Sequence, residues 1–201
     1  MTAILDNDGR TRCGWADFTG ERWASDDSVL YRNYHDTEWG QQLRGSRELF
    51  ERMTLEAFQS GLSWLIILRK RESFRRAFKR FDVAKVARFG DADVERLMAD
   101  VGIVRNRAKI DATIANARAV ADLDVDLSEL LWSFAPEPQP RRADMSQVPA
   151  VTPESTAMAK ELKRRGFKFV GPTTAYALMQ ATGMVDDHLA SCWVPPVARG
   201  F

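Results

Sequence analysis

The chain has 201 residues, of which 45% are apolar and 28% charged, and its formal net charge is +1. This length fits one well-buried domain or two small lobes sharing a core, and the composition excludes disordered and fibrous classes. The longest apolar run, residues 64–68, is far shorter than the roughly twenty residues that a membrane-spanning helix needs. Because the N-terminus also lacks the features of a secretory signal, we expect a cytoplasmic protein whose two cysteines form no disulfide.

Helical periodicity dominates the predicted elements. Apolar residues on one stripe predict a helix over about 46–60, capped by Ser46, and a second helix that begins behind Ser63. Asp82 and Asp91 are the predicted caps of two shorter helices. The later segments are a helix over about 106–122, an apolar run over 127–134, a proline-rich loop over 135–153, and helices over about 155–165 and 173–183. No alternating strand pattern is visible, so we expect an all-α fold.

Cysteine and histidine occur only four times, as Cys13, His35, His188 and Cys192. Two thiolates and two imidazoles form a common tetrahedral zinc site. His188 and Cys192 are four residues apart and would share a face on one helical turn, whereas the other spacings match no zinc-finger signature. The alternative is two buried free thiols and two unrelated histidines. Four protein ligands would leave no position for water, so a bound zinc would be structural and would link the chain ends.

Several aromatic residues and one carboxylate suggest a ligand pocket. The candidates are Tyr31, Tyr34, Trp39, Glu56 and Trp64. Core packing of the aromatic rings and an ion pair between Glu56 and an arginine are the alternatives. A cationic heteroaromatic ligand would need both groups, because aromatic faces attract cations and a carboxylate accepts hydrogen bonds from an amine.

Basic residues concentrate in one segment and after one turn. Residues 69–80 carry seven positive charges against one acid, which suits either phosphate contacts or a solvated helix face. Residues 97–110 are predicted to form a helix, a short turn that opens on Gly102, and a second helix. The N-terminal amides of this second helix could hold a DNA phosphate, with Arg105 and Lys109 adding positive charge. An ordinary helix–helix turn gives the same sequence pattern.

Six segments form a recognisable set: residues 12–15, 34–40, 55–64, 131–134, 165–171 and 187–192. Together they resemble the 3-methyladenine DNA glycosylase I family of the helix-hairpin-helix DNA glycosylase superfamily. The resemblance implies one all-α domain over 13–194 with the hairpin near 97–110. It also implies a zinc lobe from 13–45 and 150–194 and a helical lobe from 46–134. Because chain termini are often poorly ordered, we expect the N-terminal extension over 1–12 and the tail over 195–201 to be frayed.

The same resemblance implies a monofunctional base-excision repair enzyme, and we expect it to be a monomer. Its substrate would be double-stranded DNA containing alkylated bases, and hydrolysis of the N-glycosidic bond would release free 3-methyladenine. The family's structural zinc ligands fall on the four cysteines and histidines, and its base-pocket residues fall on the five candidates above, with a catalytic role for Glu56. The alternatives are a non-catalytic, zinc-containing DNA damage-binding module, a glycosylase for another lesion, and a helical protein with a structural metal.

Overall fold

A computed structural model describes residues 2–16 and 25–196, and it consists mainly of α-helices. These are α1 Ser25–Thr37, α2 Ser46–Gln59, α3 Trp64–Ala77, α4 Val83–Ala87, α5 Asp91–Ala99, α6 Arg107–Ala121, α7 Leu127–Trp132, α8 Pro153–Arg164 and α9 Pro172–Ala181. Short 3-10 turns cover Gly14–Ala16, Lys79–Phe81 and Met145–Gln147, and the two strands are β1 Ile4–Leu5 and β2 Thr11–Arg12. Among these helices none has the length and apolar character needed to cross a membrane. The all-α prediction is confirmed.

Helix α1 is the element that periodicity failed to predict. The residues that α1 buries include Asp27, Ser28 and His35, whereas its Val29 is 49% exposed. The sequence of α1 therefore shows no apolar stripe, although the helix packs a polar and aromatic face inward.

Helix caps are shifted by one residue at two predicted starts. Gly45 and Gly90, rather than Ser46 and Asp91, occupy the N-cap positions of α2 and α5. The Ser46 hydroxyl instead donates to Asp126 Oδ2 at 2.5 Å and accepts from Leu127 N at 3.2 Å. This side chain therefore fastens the start of α2 to the start of α7.

Packing divides the chain into two units. The first unit is Met1–Leu43, Ala135–Ala150 and Met179–Phe201, and the second is Arg44–Phe134 and Val151–Leu178. The predicted zinc lobe included 151–178, which the structure places in the second unit. The physical reason lies in contacts such as those of Asn116 in α6, whose amide donates to Lys168 O at 3.1 Å and accepts from Lys168 N at 2.7 Å.

A cluster of phenylalanine rings forms the core of the second unit. The rings of Phe58 and Phe74 are 4.7 Å apart, and Phe78 stacks on Phe81 at 5.7 Å. All four side chains are fully buried. Burial of each ring contributes about 1.5–3 kcal/mol, so this cluster is the main apolar support of α2 and α3.

The first unit begins with a hairpin where an unstructured extension was expected. Strands β1 and β2 pair antiparallel, with Ile4 opposite Arg12 and Leu5 opposite Thr11. Two-residue strands are too short to give an alternating pattern, so the sequence offered no signal for them. The prediction of fraying is wrong for residues 2–12, and the last five residues of the predicted tail lie outside the described ranges.

Candidate functional site

Four buried side chains converge in the first unit. The ligating atoms of Cys13, His35, His188 and Cys192 all lie within 4.8 Å of one another. The first and last of them, Cys13 and Cys192, are 179 positions apart along the chain, so the fold brings segments near both chain ends to one point. The structure therefore confirms that the complete cysteine and histidine inventory forms one group that could bind a metal.

Different local structures supply the four side chains. Cys13 directly follows β2, and His35 lies in the last turn of α1. His188 and Cys192 lie on a turn closed by a 2.8 Å hydrogen bond from Cys192 N to Leu189 O, not on the helical turn that their spacing suggested. Leu189 N also donates to Cys13 Sγ at 3.3 Å, so the turn is tied directly to the N-terminal thiol.

Each imidazole has its outer nitrogen fixed by an oxygen. His35 Nδ1 lies 2.7 Å from Asp36 Oδ1, and His188 Nε2 lies 3.0 Å from Trp39 O. Since both acceptors require an N–H, the opposite nitrogens, Nε2 of His35 and Nδ1 of His188, carry the lone pairs. Those two nitrogens face the thiols, as metal ligation requires.

Three of the six separations between the ligand atoms match the edges of a tetrahedral site. Cys192 Sγ lies 3.6 Å from His35 Nε2 and 3.5 Å from His188 Nδ1, and Cys13 Sγ lies 3.7 Å from His188 Nδ1. Zinc bonds of about 2.3 Å to sulfur and about 2.0 Å to nitrogen give tetrahedral sulfur–nitrogen edges of about 3.5 Å. The residues present therefore fit zinc, and all four positions around it would be filled by protein.

The two thiols also show why a cation suits this site. A hydrogen bond between them lowers the pKa of Cys192 and raises that of Cys13, and burial raises the pKa of Cys13 further. The pair thus ionises once easily and twice only with difficulty. A divalent cation would remove this conflict, because it stabilises both thiolates.

Segment 135–150 holds the C-terminal ligand turn in place. Arg142 pairs with Asp187 at 2.5 Å, and Arg142 O accepts from Ala190 N at 2.8 Å. Arg141 pairs with Asp186 at 2.8 Å and donates to Val194 O at 2.6 Å. The proline-rich segment is therefore an ordered loop that contacts both sides of the His188 ligand.

Two glycines allow the backbone to pack tightly beside His188. A Cβ on Gly40, whose φ is 77°, would lie 3.1 Å from the His188 ring. A Cβ on Gly183, whose φ is 73°, would lie 2.7 Å from Gly40 O. Any larger residue at either position would displace the ligand or strain the backbone.

Aromatic rings surround the histidine ligands in the first unit. Trp15 contacts Trp39 with ring centroids 4.9 Å apart and Tyr31 at 5.4 Å, and its centroid is 6.5 Å from Tyr34. Trp39 in turn packs on His188 at 4.7 Å. The structure thus brings together the three candidates of this unit and adds Trp15, which sequence reasoning gave no role although it follows Cys13 by two positions.

The second unit contains a buried carboxyl group. Glu56 in α2 is 5% exposed, and within 2–16 and 25–196 it forms no hydrogen bond or ion pair. Burial raises its pKa from an ordinary 4.5 to about 7, against an opposing effect from the charge of Arg52. The Arg52 guanidinium also lies 6.0 Å from the ring of Trp64 at the start of α3. The alternative drawn from the sequence, an ion pair of Glu56 with an arginine, is present among the described residues only as the charge effect of Arg52, without a hydrogen bond.

The predicted hairpin is present between α5 and α6. Gly102 N donates to Asp100 Oδ1 at 2.7 Å, and a Cβ on Gly102 would lie 3.0 Å from Ser73 Cβ. A larger residue at this position would therefore require the Ser73 side chain or the turn to shift. Arg105 is exposed and forms no hydrogen bond or ion pair with any described residue.

Lys109 does not have the environment that the sequence suggested. It is 8% exposed, and its ammonium donates to Phe58 O at 2.9 Å and to Ser60 O at 2.6 Å. These carbonyls end α2, so Lys109 is a cap of that helix. Burial lowers its pKa. A role for Lys109 in phosphate binding is therefore corrected, because its cationic head is used inside the fold.

The basic segment 69–80 is partly committed to structural contacts. Arg75 pairs with Glu51 at 2.8 Å and with Glu72 at 2.5 Å. Lys70 donates to Val101 O at 2.9 Å and so fastens the hairpin to α3. These contacts account for part of its charge without a nucleic acid.

Comparisons with known proteins agree with one another. The family model described as methyladenine glycosylase matches residues 23–195. DNA-3-methyladenine glycosylase 1 of Escherichia coli (strain K12) is 45% identical over 190 residues, which cover 92% of this chain and 97% of that relative. DNA-3-methyladenine glycosylase of Haemophilus influenzae is 42% identical over 187 residues, which cover 90% and 96% of the two chains.

Solved structures show the same similarity in three dimensions. A crystal structure of 3-methyladenine DNA glycosylase I has a TM-score of 0.83 at 43% identity, and the match covers 90% of this chain and 98% of that one. A 3-methyladenine DNA glycosylase I from Staphylococcus aureus has a TM-score of 0.80 at 36% identity, covering 85% and 93%. Each of these matches covers at least 85% of this chain, so each includes residues of both units.

Proposed function

The chain belongs to the methyladenine glycosylase family, and we propose that it hydrolyses the N-glycosidic bond of 3-methyladenine in alkylated DNA and releases the free base. The observation that carries this proposal is the 45% identity to a DNA-3-methyladenine glycosylase along 97% of that relative. A variant of another relative was solved in complex with 3-methyladenine, which supports the same base as product. The proposed enzyme is monofunctional and monomeric, and its proposed glycosylase domain includes residues 13–194.

The proposed reaction requires little acid catalysis from the protein. Adenine alkylated at its third ring position is a cation in DNA, and it leaves the sugar as a neutral base, so no strong general acid is needed. The enzyme must take the nucleotide out of the base stack, bind the base and admit water to the sugar carbon. Unstacking costs a few kcal/mol and is easiest for a damaged, weakly paired base.

Glu56 is the proposed recognition group for the positive base. Its buried carboxyl lacks a hydrogen-bond donor among the described residues, so an exocyclic amine with a nearby positive charge would supply what the protein does not. A cation would also favour the ionised carboxylate, whereas neutral adenine would not. Glu56 is therefore proposed both to select the lesion and to stabilise charge during bond cleavage.

Aromatic side chains are the proposed contacts to the faces of the base. We assign this role to Tyr31, Tyr34, Trp39 and Trp64, and we add Trp15 because its ring packs against three of them. Electron-rich ring faces attract a cationic heteroaromatic more strongly than a neutral one.

The proposed metal is zinc, held by Cys13, His35, His188 and Cys192. It would supply a structural cross-link and no activated water, since four protein ligands complete a tetrahedron. DNA would contact the hairpin, where Gly102 allows the close turn and Arg105 offers an unpaired charge to a phosphate.

A base-release assay tests the proposed reaction. Purified protein is incubated with methylated duplex DNA, and the released bases are separated by chromatography. Free 3-methyladenine without strand cleavage is the expected result. DNA binding without any released base would instead favour a damage-binding module, and release of uracil or an oxidised purine in preference would favour a glycosylase of other specificity.

A further inference from the structure

The N-terminal hairpin, residues 2–12, ends in a buried arginine that contacts three carboxylates. Arg12 is 4% exposed, and its guanidinium lies 3.0 Å from Asp6, 2.8 Å from Asp8 and 2.8 Å from Asp36. A buried arginine is retained at such a position only when its donors are satisfied, as they are here. Arg12 therefore joins the hairpin, through Asp6 and Asp8, to a residue of α1.

Asp36 connects this arginine to a metal-ligand histidine. Its Oδ1 accepts from His35 Nδ1 at 2.7 Å and from Trp193 Nε1 at 3.2 Å, while Arg12 donates to both oxygens at 2.8–3.2 Å. The carboxylate is thus held from three sides. It cannot rotate away from His35 without breaking contacts to Arg12 and Trp193.

The C-terminal segment completes the arrangement around the hairpin. Trp193, directly after the ligand Cys192, donates from its backbone to Thr11 O at 2.8 Å. The Arg10 guanidinium lies 4.0 Å from the centroid of the Trp193 ring. Arg32 of α1 also donates to Asp6 at 3.0 Å. The hairpin therefore contacts both the α1 side and the C-terminal side of the ligand set.

We propose that the N-terminal hairpin is an outer part of the metal site, in which Arg12 positions Asp36 and Asp36 fixes the ring of His35. This inference rests on the zinc proposed above. Because Asp36 accepts from Nδ1, it holds His35 in the tautomer whose Nε2 points to the thiols. Loss of the hairpin contacts frees Asp36 and the imidazole, so the metal is released sooner.

Zinc transfer to a chromophoric chelator tests the proposal on the full-length, zinc-loaded protein. Removal of a carboxylate partner of a ligating histidine weakens metal affinity by about 10- to 100-fold, and we expect a loss in that range for Asp36→Ala. Asp36→Asn, which retains an acceptor oxygen, is expected to lose less. Asp8→Asn, whose side chain is 42% exposed, is expected to speed release by a few fold.

Glu95→Gln is the matched control, because it breaks an exposed ion pair with Arg107 in the second unit. Nitrogen NMR of the His35 ring adds a readout that a purely structural role would leave unchanged: Asp36→Ala should mix the two tautomers in the metal-free protein, whereas Asp36→Asn should not.

Two results would overturn the inference. One is zinc release from Asp36→Ala and Asp8→Asn as slow as from Glu95→Gln, even with lowered thermal stability, because the network would then be only an ion-pair cluster. The Asp8→Asn variant retains the contacts of Asp36, so it carries the test if Asp36→Ala does not fold. The other is a wild-type protein that binds no zinc, which refutes the metal itself and is seen before any variant is made.

Discussion

In the first unit the buried ionisable groups contact one another, whereas in the second unit Glu56 is buried with no hydrogen-bond donor beside it in the described ranges. The thiols and imidazoles lie within 4.8 Å of each other, and their outer atoms are held by Asp36, Trp39 O and Leu189 N. The pKa of Glu56, by contrast, is raised to about 7 by burial. Buried polar groups whose hydrogen bonds are satisfied stabilise the fold, as in the first unit. A buried carboxyl with no donor beside it, such as Glu56, can accept hydrogen bonds from a ligand.

Loss of a metal ligand should have the largest effect in this comparison. Cys192→Ser removes one of four ligands, so metal binding no longer adds its full free energy to folding, and we expect the free energy of unfolding to fall by several kcal/mol. Thermal unfolding with and without a chelator measures it, and Ser191→Ala is the adjacent control. A Cys192→Ser protein that is metal-free yet as stable as wild type would show that the site does not brace the fold.

Replacement of the buried Glu56 carboxyl should raise the free energy of unfolding, whereas loss of a metal ligand should lower it. The folded state binds the Glu56 proton more tightly than the unfolded state, so wild-type stability falls as the pH rises from about 4.5 to about 7. Glu56→Gln removes this loss, and above pH 7 it should stabilise the protein by up to about 3 kcal/mol, the equivalent of the shift from 4.5 to about 7.

Denaturant titration across the same pH range measures this gain. Glu48→Gln on the same helix is the control, because hydrogen bonding to Arg47 lowers the pKa of Glu48 and its removal should cost a little stability. Equal effects of the two substitutions would mean that Glu56 has a partner.

Lys109→Met distinguishes two roles of Lys109, as a helix cap and as a DNA contact. The change leaves Phe58 O and Ser60 O without their donor, so unfolding should become easier by about 1–3 kcal/mol. The salt dependence of DNA binding should stay the same. Lys163→Met, on an exposed position of α8, provides the comparison in both assays; a salt slope that changes only in Lys109→Met would restore the phosphate role.

Arg105→Ala should have the smallest effect, and it should change only the affinity for DNA. Removal of one phosphate contact weakens binding uniformly across sequences and reduces the slope of log affinity against log salt by about 1. Fluorescence anisotropy at several salt concentrations measures the slope. Arg164→Ala, which breaks an exposed ion pair with Glu161, should leave it unchanged, and an equal change in both variants would argue against the hairpin as the contact.

The sequence predicted most of the helices of the second unit, because its buried positions are apolar and recur with helical spacing. Helix α1 escaped prediction since its inward face includes Asp27, Ser28 and His35. The metal site was accessible from the inventory of cysteine and histidine alone, but its outer contacts were not. Nothing in the spacing of Arg12, Asp36 and Trp193 signals that the fold joins them.

The burial of individual charged side chains was the other property that local sequence patterns could not predict. Lys109 and Arg105 are similar in sequence terms, as basic residues near the start of one helix. Only the packing of the end of α2 against α6 distinguishes a buried cap from an exposed charge. Glu56 was a candidate because of its apolar neighbours, and the structure adds that no described donor reaches it.

The role of Glu56 in base recognition is tested by the single-turnover rate at which Glu56→Gln releases 3-methyladenine from methylated duplex DNA. The rate is measured at about pH 8, and the unfolding temperature is measured on the same protein. We expect a slower rate than that of wild type, in a more stable protein that retains its metal. A rate equal to that of wild type would contradict it, since the buried carboxyl would then take no part in recognition of the base.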